Sequence, residues 1–217
     1  MKKKELAKRY ILFIIGLFIS GLGVAITKRG ELGVSPISSA ANVLSMKWDA
    51  MSLGTWLLVW NMLLIVGQII ILRRKFQLIQ LLQIPLSVLF GWFTEIGMKM
   101  TEFMLSDIYA VRLLCVLLGT AVLGFGIALA VIANVIMNSG EAFVKAVSDT
   151  INKPFGDVKV IFDVGNVIFA LILSLILFDF KIVGAREGTI IAAFCTGITI
   201  KFYLKILKKP IDRILIK

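Results

Sequence analysis

The sequence predicts an all-α integral membrane protein, in which six spanning helices form a 3+3 inverted repeat accompanied by two short re-entrant half-helices. Three observations predict this fold class. The composition suits a chain dissolved in lipid, with 59% hydrophobic residues and a mean hydropathy of +0.96. The chain also contains two similar halves. Each half holds one short segment that is unsuited to crossing a bilayer.

Six apolar runs are long enough to be spanning helices. A hydrocarbon core about 30 Å thick is crossed by about 20 apolar residues in helical form. Runs close to this length cover residues 10–27, 55–72, 78–98, 113–133, 158–178 and 189–204. We therefore expect one transmembrane domain over residues 1–217. The first run is expected to be a retained span, because no clean small-x-small cleavage site follows it.

The basic residues predict the orientation of the chain. The net charge of +11 comes from 24 Lys and Arg against 13 Asp and Glu. Basic side chains are concentrated at the N-terminus, at 73–75 and at 201–217, and such clusters flank spans on the cytoplasmic side. We expect cytoplasmic termini, an external loop at 101–110, and an amphipathic tail at 208–217 on the anionic cytoplasmic leaflet of the lipid bilayer. Nucleic acid is not an expected partner.

The two halves repeat a glycine pattern. Segment 16–25 reads G-L-F-I-S-G-L-G-V-A, and segment 119–128 reads G-T-A-V-L-G-F-G-I-A. Three further pairs occupy matching positions: Gly54 and Gly156, Asn61 and Asp163, and Gly91 and Gly197. The internal repeats are then residues 10–100 and 112–207, and many transporters place a binding site between such repeats. Small residues let helices approach closely, so a packing role is expected for the repeated glycines Gly16, Gly21, Gly23, Gly119, Gly124 and Gly126.

A short polar segment in each half predicts how the repeats are related. The first begins at Ser35 and Pro36, a typical helix start, and ends after about three helical turns. The second begins at Asn138 and carries three charges at four-residue spacing: Glu141, Lys145 and Asp149. A charge at the bilayer centre costs about 2.5 to 3.5 kcal/mol, so neither segment is expected to cross. Three spans per repeat then invert the second copy. Eight spans would bury the three charges and export the basic cluster at 73–75.

Asp163 is the first candidate for a functional side chain. It lies well inside an apolar run, and an intramembrane carboxylate usually has a role. The alternative is a structural ion pair with Lys159, one turn earlier on the same helix face. Asn61 and Asn166 are candidates for the same polar track, or else for hydrogen bonds between helices.

The starts of the two short helices are candidate binding sites. Free backbone amides and the positive end of a helix dipole can bind an anion or a carboxylate. Glu141 would face a solute or ion, or would form a capping box with Asn138. An amphipathic helix lying in the headgroups is the alternative for each segment. The candidate residues are Ser35, Ser38, Ser39, Asn138, Ser139, Gly140 and Glu141.

The side chains that support metal or cofactor chemistry are scarce. The sequence has no histidine, and Cys115 and Cys195 stand alone in apolar runs without an activating partner. We therefore expect no metal, no cofactor and no enzymatic activity.

Longer phrases extend the comparison beyond the glycines. The first half contains L-G-V-S-P-I-S-S, S-L-G-T-W, L-R-R-K-F-Q-L-I-Q-L-L-Q-I-P and F-G-W-F-T-E. The second contains G-E-A-F-V-K-A-V-S, F-G-D-V-K-V-I-F-D and V-G-A-R-E-G-T-I-I-A-A. With these phrases the chain resembles the YczE/YyaS/YitT group of bacterial membrane proteins, nearest its DUF6198 branch, over nearly its whole length. The resemblance implies a multi-pass protein of the bacterial inner membrane and carries over no settled activity. It also implies a proline before Gly140, where this chain has Ser139.

The functional prediction is a small secondary transporter or channel-like permease for a small polar solute, with anions among the candidates. The sequence contains no G-x-x-x-x-G-K-[ST] motif, so a gradient or another subunit would supply the energy. Asp163 would then couple transport to a proton or cation. The alternative is a non-transporting membrane protein that regulates or scaffolds a partner complex through its basic cytoplasmic face. A homodimer is one expected assembly.

Overall fold

Helices make up most of the part of the chain that the structure describes. The computed structural model describes residues 3–216. Eight α-helices lie in this range: α1 Lys3–Arg29, α2 Pro36–Lys47, α3 Leu53–Leu72, α4 Gln83–Met100, α5 Tyr109–Ala133, α6 Ser139–Ile151, α7 Phe155–Leu177 and α8 Glu187–Ile216. Short 3₁₀ turns lie between α3 and α4 and after α4, at Arg73–Lys75, Leu78–Leu82 and Glu102–Met104.

Six of the described helices are long and apolar enough to cross a membrane. These are α1, α3, α4, α5, α7 and α8, whereas α2 and α6 have only 12 and 13 residues. The prediction of an all-α fold with six spans is confirmed at this level, and the six helices indicate a multi-pass membrane protein. Most spans are longer than the apolar runs that predicted them, because polar flanking residues continue the helix.

The helices α1 and α5 form a central antiparallel pair. Gly16 lies against Ala130 near the end of α5, and Gly30 lies against Arg112 near its start. Between these points, a Cβ added at Gly23 would overlap the backbone of α5. The two backbones can approach this closely only because no side chain separates them.

The six repeated glycines all lie at helix contacts. Gly21 faces α4 at Thr94, and Gly124 faces α8 at Thr199. Matching glycines therefore make matching contacts, and α4 and α8 flank the central pair on opposite sides. The other four glycines lie between α1 and α5: Gly16, Gly23, Gly119 and Gly126.

Both described ends of the chain lie at the same end of the bundle. Lys8 Nζ donates a hydrogen bond of 3.1 Å to the carbonyl oxygen of Ile214. We call this the basal end, and we call the opposite end, where Gly30 meets Arg112, the apical end. Gly188, at the start of α8, packs against the chain just after α1, so α8 runs from the apical to the basal end.

The segment predicted as a separate tail is part of α8. This helix continues through Pro210 to Ile216. A proline inside a helix removes one backbone hydrogen bond and bends the axis, but the adjoining turns keep their own bonds. The structure thus places residues 208–216 in the last turns of a long helix, and residue 217 lies outside the described residues.

The two short helices pack across the halves. The helix α2 lies against α7, and α6 lies against α3. The chain that leads into α2 is buried and not helical over residues 32–35. Gly33 in this stretch has a φ of +116°, and a Cβ there would overlap the hydroxyl of Thr189. Only glycine suits this conformation and this space.

The halves differ in how their last two helices pack. The helices α3 and α4 touch at two buried glycines, where a Cβ on Gly91 would lie 2.6 Å from the carbonyl oxygen of Gly54. Glu95 closes this contact, because its Oε1 accepts a hydrogen bond of 2.6 Å from the amide of Gly54. A Cβ on the matching Gly156 or Gly197 would meet no neighbour within 4 Å in the described part of the chain. The helices α7 and α8 therefore stand apart where α3 and α4 are in contact.

Candidate functional site

The first residues of α2 and α6 meet. A Cβ added at Gly140 would overlap Cδ1 of Ile37, so the isoleucine side chain rests on the glycine. Ile37 is the second residue of α2, and Gly140 is the second residue of α6. Their neighbours Ser38, Ser39 and Ser139 are all buried. The two helix starts that the sequence singled out separately thus form one region.

A buried polar network holds the start of α6. Gln68 on α3 and Gln83 on α4 exchange two side-chain hydrogen bonds, of 3.0 and 3.1 Å. Gln68 Nε2 also donates to the carbonyl oxygen of Ser139 at 3.2 Å, and the hydroxyls of Ser87 and Ser139 are 3.0 Å apart. Gln68 is 0% exposed and Gln83 is 2% exposed, so both amides depend on these partners. The network fixes α6 against the closed pair of α3 and α4.

The start of α2 is held by serines instead. Ser35 Oγ donates to Ser38 Oγ at 3.0 Å, and Ser35 makes no side-chain hydrogen bond that caps the helix. Ser39 Oγ donates to the carbonyl oxygen of Pro36 at 2.6 Å and, more weakly, to that of Asn166 at 3.4 Å. The side chain of Asn166 is buried and donates to Phe162 on its own helix. Asn166 therefore marks the level of α7 at which α2 begins.

Three charged side chains lie together where α6 meets α7. Lys159 and Asp163 form an ion pair one helical turn apart, with 28% and 24% of their side chains exposed. This is the structural alternative that the sequence left open for Asp163. Both residues also act electrostatically on Glu141, which is half-buried in the first turn of α6. The cluster combines two carboxyl groups with one ammonium group.

Two candidates from the sequence, Asn61 and Asn138, do not take part in these polar networks through their side chains. Asn61 on α3 is half-buried, and its side chain makes no hydrogen bond among the described residues. Asn138 precedes α6, but its side chain makes no capping hydrogen bond, so the capping box with Glu141 is not formed. Glu141 instead lies within electrostatic range of Lys159 and Asp163 on α7.

A first cavity lies at the apical end. It has a volume of about 70 Å³ and is lined by the end of α1, by α2, by the end of α4 and by the loop before α8. Its walls include both polar and apolar side chains. The polar and charged side chains of its lining are Lys28, Arg29, Glu31 and Asn42.

A second cavity lies at the basal end. It has a volume of about 190 Å³ and is lined by the chain after α5, by α6 and by the 3₁₀ turn before α4. When the two halves are aligned by the offset between Gly16 and Gly119, Asn42 of the first cavity aligns with Lys145 of the second. The same offset aligns Met46 with Asp149. The two cavities therefore occupy matching positions at opposite ends of the bundle.

Sequence reasoning missed four residues of this region. Gln68 and Gln83 could have been found, because a glutamine inside an apolar helix must find a partner. Asn42 lies among small residues of α2, and Lys28 directly follows the first apolar run, so neither residue carries a local signal of a binding role. Only the fold places Lys28 and Asn42 on one cavity.

Comparison with known proteins confirms the resemblance. The chain is similar to the uncharacterized protein YyaS of Bacillus subtilis (strain 168), with 25% identity over 126 residues, which are 56% of this chain and 59% of that protein. The chain thus spans less than two thirds of the length of this curated relative. No solved structure matches it. A family model matches residues 7–205, and the chain therefore belongs to the family of unknown function DUF6198.

Proposed function

We propose that this protein is a small secondary transporter or channel-like permease for a small polar solute. One observation carries the proposal: two cavities of matching position lie at opposite ends of the bundle, one lined by α2 and the other by α6, and the first residues of these two helices meet. The solute would enter one cavity, pass the contact between Ile37 and Gly140, and leave by the other. The buried serines next to this contact would bind it in passing.

A 3+3 inverted repeat with two re-entrant helices is part of the proposal. The antiparallel packing of α1 and α5, the first helices of the two repeats, supports the inversion. The course of α2 supports re-entry, because this helix begins beside Asn166 in the middle of α7 and ends where Lys47 lies 5.3 Å from the ring of Phe178. It thus begins at the middle of its neighbour and ends at the neighbour's apical end. Helix starts held at that depth present free amides to a solute.

The difference between the halves supports alternating access. In an inverted repeat the two copies exchange conformations as the protein turns from one side to the other. Here α3 and α4 are closed on Gly54 and Gly91, whereas α7 and α8 are open at Gly156 and Gly197. In the opposite state we expect the second pair of glycines to meet and the first pair to separate.

The remaining assignments are proposals of the same kind. The protein would lie in the bacterial inner membrane with its basal end and both termini in the cytoplasm, next to anionic lipid. It would have no enzymatic activity and would draw on a solute or ion gradient. The cluster of Glu141, Lys159 and Asp163 would be the coupling site for a proton or cation.

Flux through proteoliposomes tests the proposal. Purified protein is reconstituted, and shrinking and swelling are followed by light scattering with a panel of small solutes, including formate, acetate, glycolate, glycine and glycerol. We expect faster swelling than in protein-free vesicles for at least one solute. The variant Ile37→Ala should raise that flux, because it removes the side chain that fills the proposed path at Gly140. Ile161→Ala is the control, since Ile161 is 72% exposed on α7 and is not among the atoms that Gly140 meets.

A second variant tests the movement itself. Gly197→Leu fits the open space beside α8 and should leave stability unchanged, yet it should lower flux because α7 can no longer close on α8. Gly165→Leu is the control, because Gly165 is equally open but has no counterpart in the α3–α4 contact. Flux no higher than that of protein-free vesicles for the whole panel would refute a permease, and equal flux in all variants would refute the proposed path and movement.

The alternative is a membrane protein that regulates or scaffolds a partner complex. The exposed glycines of α7 and α8 favour it, because a groove of small residues accepts a partner helix closely. It would be preferred if flux is absent while Gly197→Leu changes the size of the complex isolated from membranes.

A further inference from the structure

The first cavity contains a cation without a counter-ion. Lys28 is the half-buried residue before the last of α1, and no carboxylate lies within ion-pair distance of its ammonium group among the described residues. The one carboxylate on the cavity wall, that of Glu31, pairs with Arg112 at 3.0 Å. Arg29 beside it donates to the neutral carbonyl oxygen of Met98 and to Thr101, so its charge is also not neutralised by an acid. The cavity is therefore positively charged.

An acceptor without a donor lies on the same cavity. Asn42 is 1% exposed, and its Nδ2 donates to the carbonyl oxygen of Gly184 at 2.6 Å. This bond determines which end of the amide is nitrogen. Its Oδ1 has no hydrogen-bond partner among the described residues. A buried acceptor left in this state costs free energy unless a donor reaches it.

The second cavity lacks both features. The residue that corresponds to Asn42 is Lys145, whose ammonium group lies 2.5 Å from Asp149 on the same cavity wall. Its charge is thus compensated within the helix. Of the two cavities, the first therefore attracts an anion more strongly, and the two would hold different ligands.

We propose that the first cavity binds a small carboxylate that carries an adjacent hydroxyl group, with the carboxylate at Lys28 and the hydroxyl donating to Asn42. This inference rests on the proposed transport function and names its class of solute, a short 2-hydroxycarboxylate. The ammonium group of Lys28 and the amide oxygen of Asn42 supply a donor and an acceptor in one space, and such a ligand complements both. The volume of about 70 Å³ agrees with this class. It has room for about five water-sized groups, the size of glycolate.

Three ligands of similar size distinguish the contribution of the carboxylate at Lys28 from that of the hydroxyl group at Asn42. Glycolate carries both the carboxylate and the hydroxyl group, acetate lacks the hydroxyl, and ethylene glycol lacks the charge. The protein is purified in dodecyl maltoside without added phospholipid, and its unfolding temperature is measured against each compound at constant ionic strength. A ligand that binds the folded state raises this temperature. We expect glycolate to act at about tenfold lower concentration than acetate, the factor that one hydrogen bond of ordinary net strength provides, and ethylene glycol to have no effect.

Variants assign the response to the cavity. Lys28→Gln should abolish the response to both anions, and Lys28→Arg should keep part of it. Lys205→Gln, which removes an exposed charge from α8, should leave it unchanged. Asn42→Leu should reduce the response to glycolate to the level of acetate. Because that variant also loses the bond to Gly184, the comparison of glycolate with acetate in the unaltered protein provides the same information without it.

The outcomes separate this inference from the proposed function. Binding that depends on Lys28 without flux in proteoliposomes would uphold the site and refute transport. Flux without any response to glycolate or acetate would uphold transport and refute the site. Equal responses to glycolate and acetate would overturn the role of Asn42. A response to anionic phospholipid alone, lost in Lys28→Gln, would show that Lys28 binds a lipid headgroup and would overturn the proposal.

Discussion

The buried amide pair between α3 and α4 provides the sharpest test of the packing. Gln68 takes part in three hydrogen bonds, two with Gln83 and one with the carbonyl oxygen of Ser139. In membrane bundles such bonds contribute about 0.6 kcal/mol each on average. Gln68→Leu removes all three and should therefore lower the free energy of unfolding by about 2 kcal/mol. Gln83→Leu removes two and should lower it by about 1 kcal/mol.

The double variant decides whether the geometry is correct. Replacing both glutamines by leucine removes the same three bonds that Gln68→Leu removes alone, and it leaves no amide of this pair without a partner. It should cost about 2 kcal/mol, whereas independent sites would give the sum of about 3 kcal/mol. Unfolding by SDS in mixed micelles, followed by circular dichroism, measures all four proteins. Additivity to within about 0.5 kcal/mol would mean that the two side chains do not interact, and the described network would be wrong.

Two further predictions concern single helices. Gly23→Ala should lower the free energy of unfolding by about 2 kcal/mol or more, because the added methyl group overlaps the α5 backbone; Gly165→Ala on α7 meets open space and should stabilise by up to about 1 kcal/mol. The same SDS titration measures both, and equal effects would refute the central pair. Asp163→Asn should have the smaller effect on the free energy of unfolding, because Glu141 remains near Lys159 as a second carboxyl group. Lys159→Gln should cost more, because it leaves two carboxylates without their cation, and the reverse order in thermal unfolding would contradict the cluster.

The spans and the packing glycines were predictable because they depend on local properties. Hydropathy summed over about 20 residues identifies a helix that prefers lipid, whatever packs against it. The three glycines have the same spacing in α1 and in α5, and this indicates that the two helices have similar neighbours. In the structure Gly16 and Gly119 both lie in the interface between α1 and α5, because these helices pack on each other.

The polar residues were less predictable because their roles depend on distant partners. Asp163 had two interpretations, and the sequence could not choose between them. Gln68 lies 71 positions from Ser139 in the chain, yet the two form a hydrogen bond. The capping box that the sequence offered as one alternative for Asn138 and Glu141 is not formed, and Glu141 lies near charges on another helix.

The sequence by itself determined that the chain is helical, that six helices suit a membrane, and that two short helices do not. These properties follow from composition and periodicity along one segment at a time. Only the tertiary structure decided that Ile37 rests on Gly140, that α7 and α8 stand apart at Gly156 and Gly197, and that Lys28 forms no ion pair with any described residue. The physical reason is that burial and pairing depend on which distant segments share a space. A charge or an amide acquires its role from the partners that packing supplies.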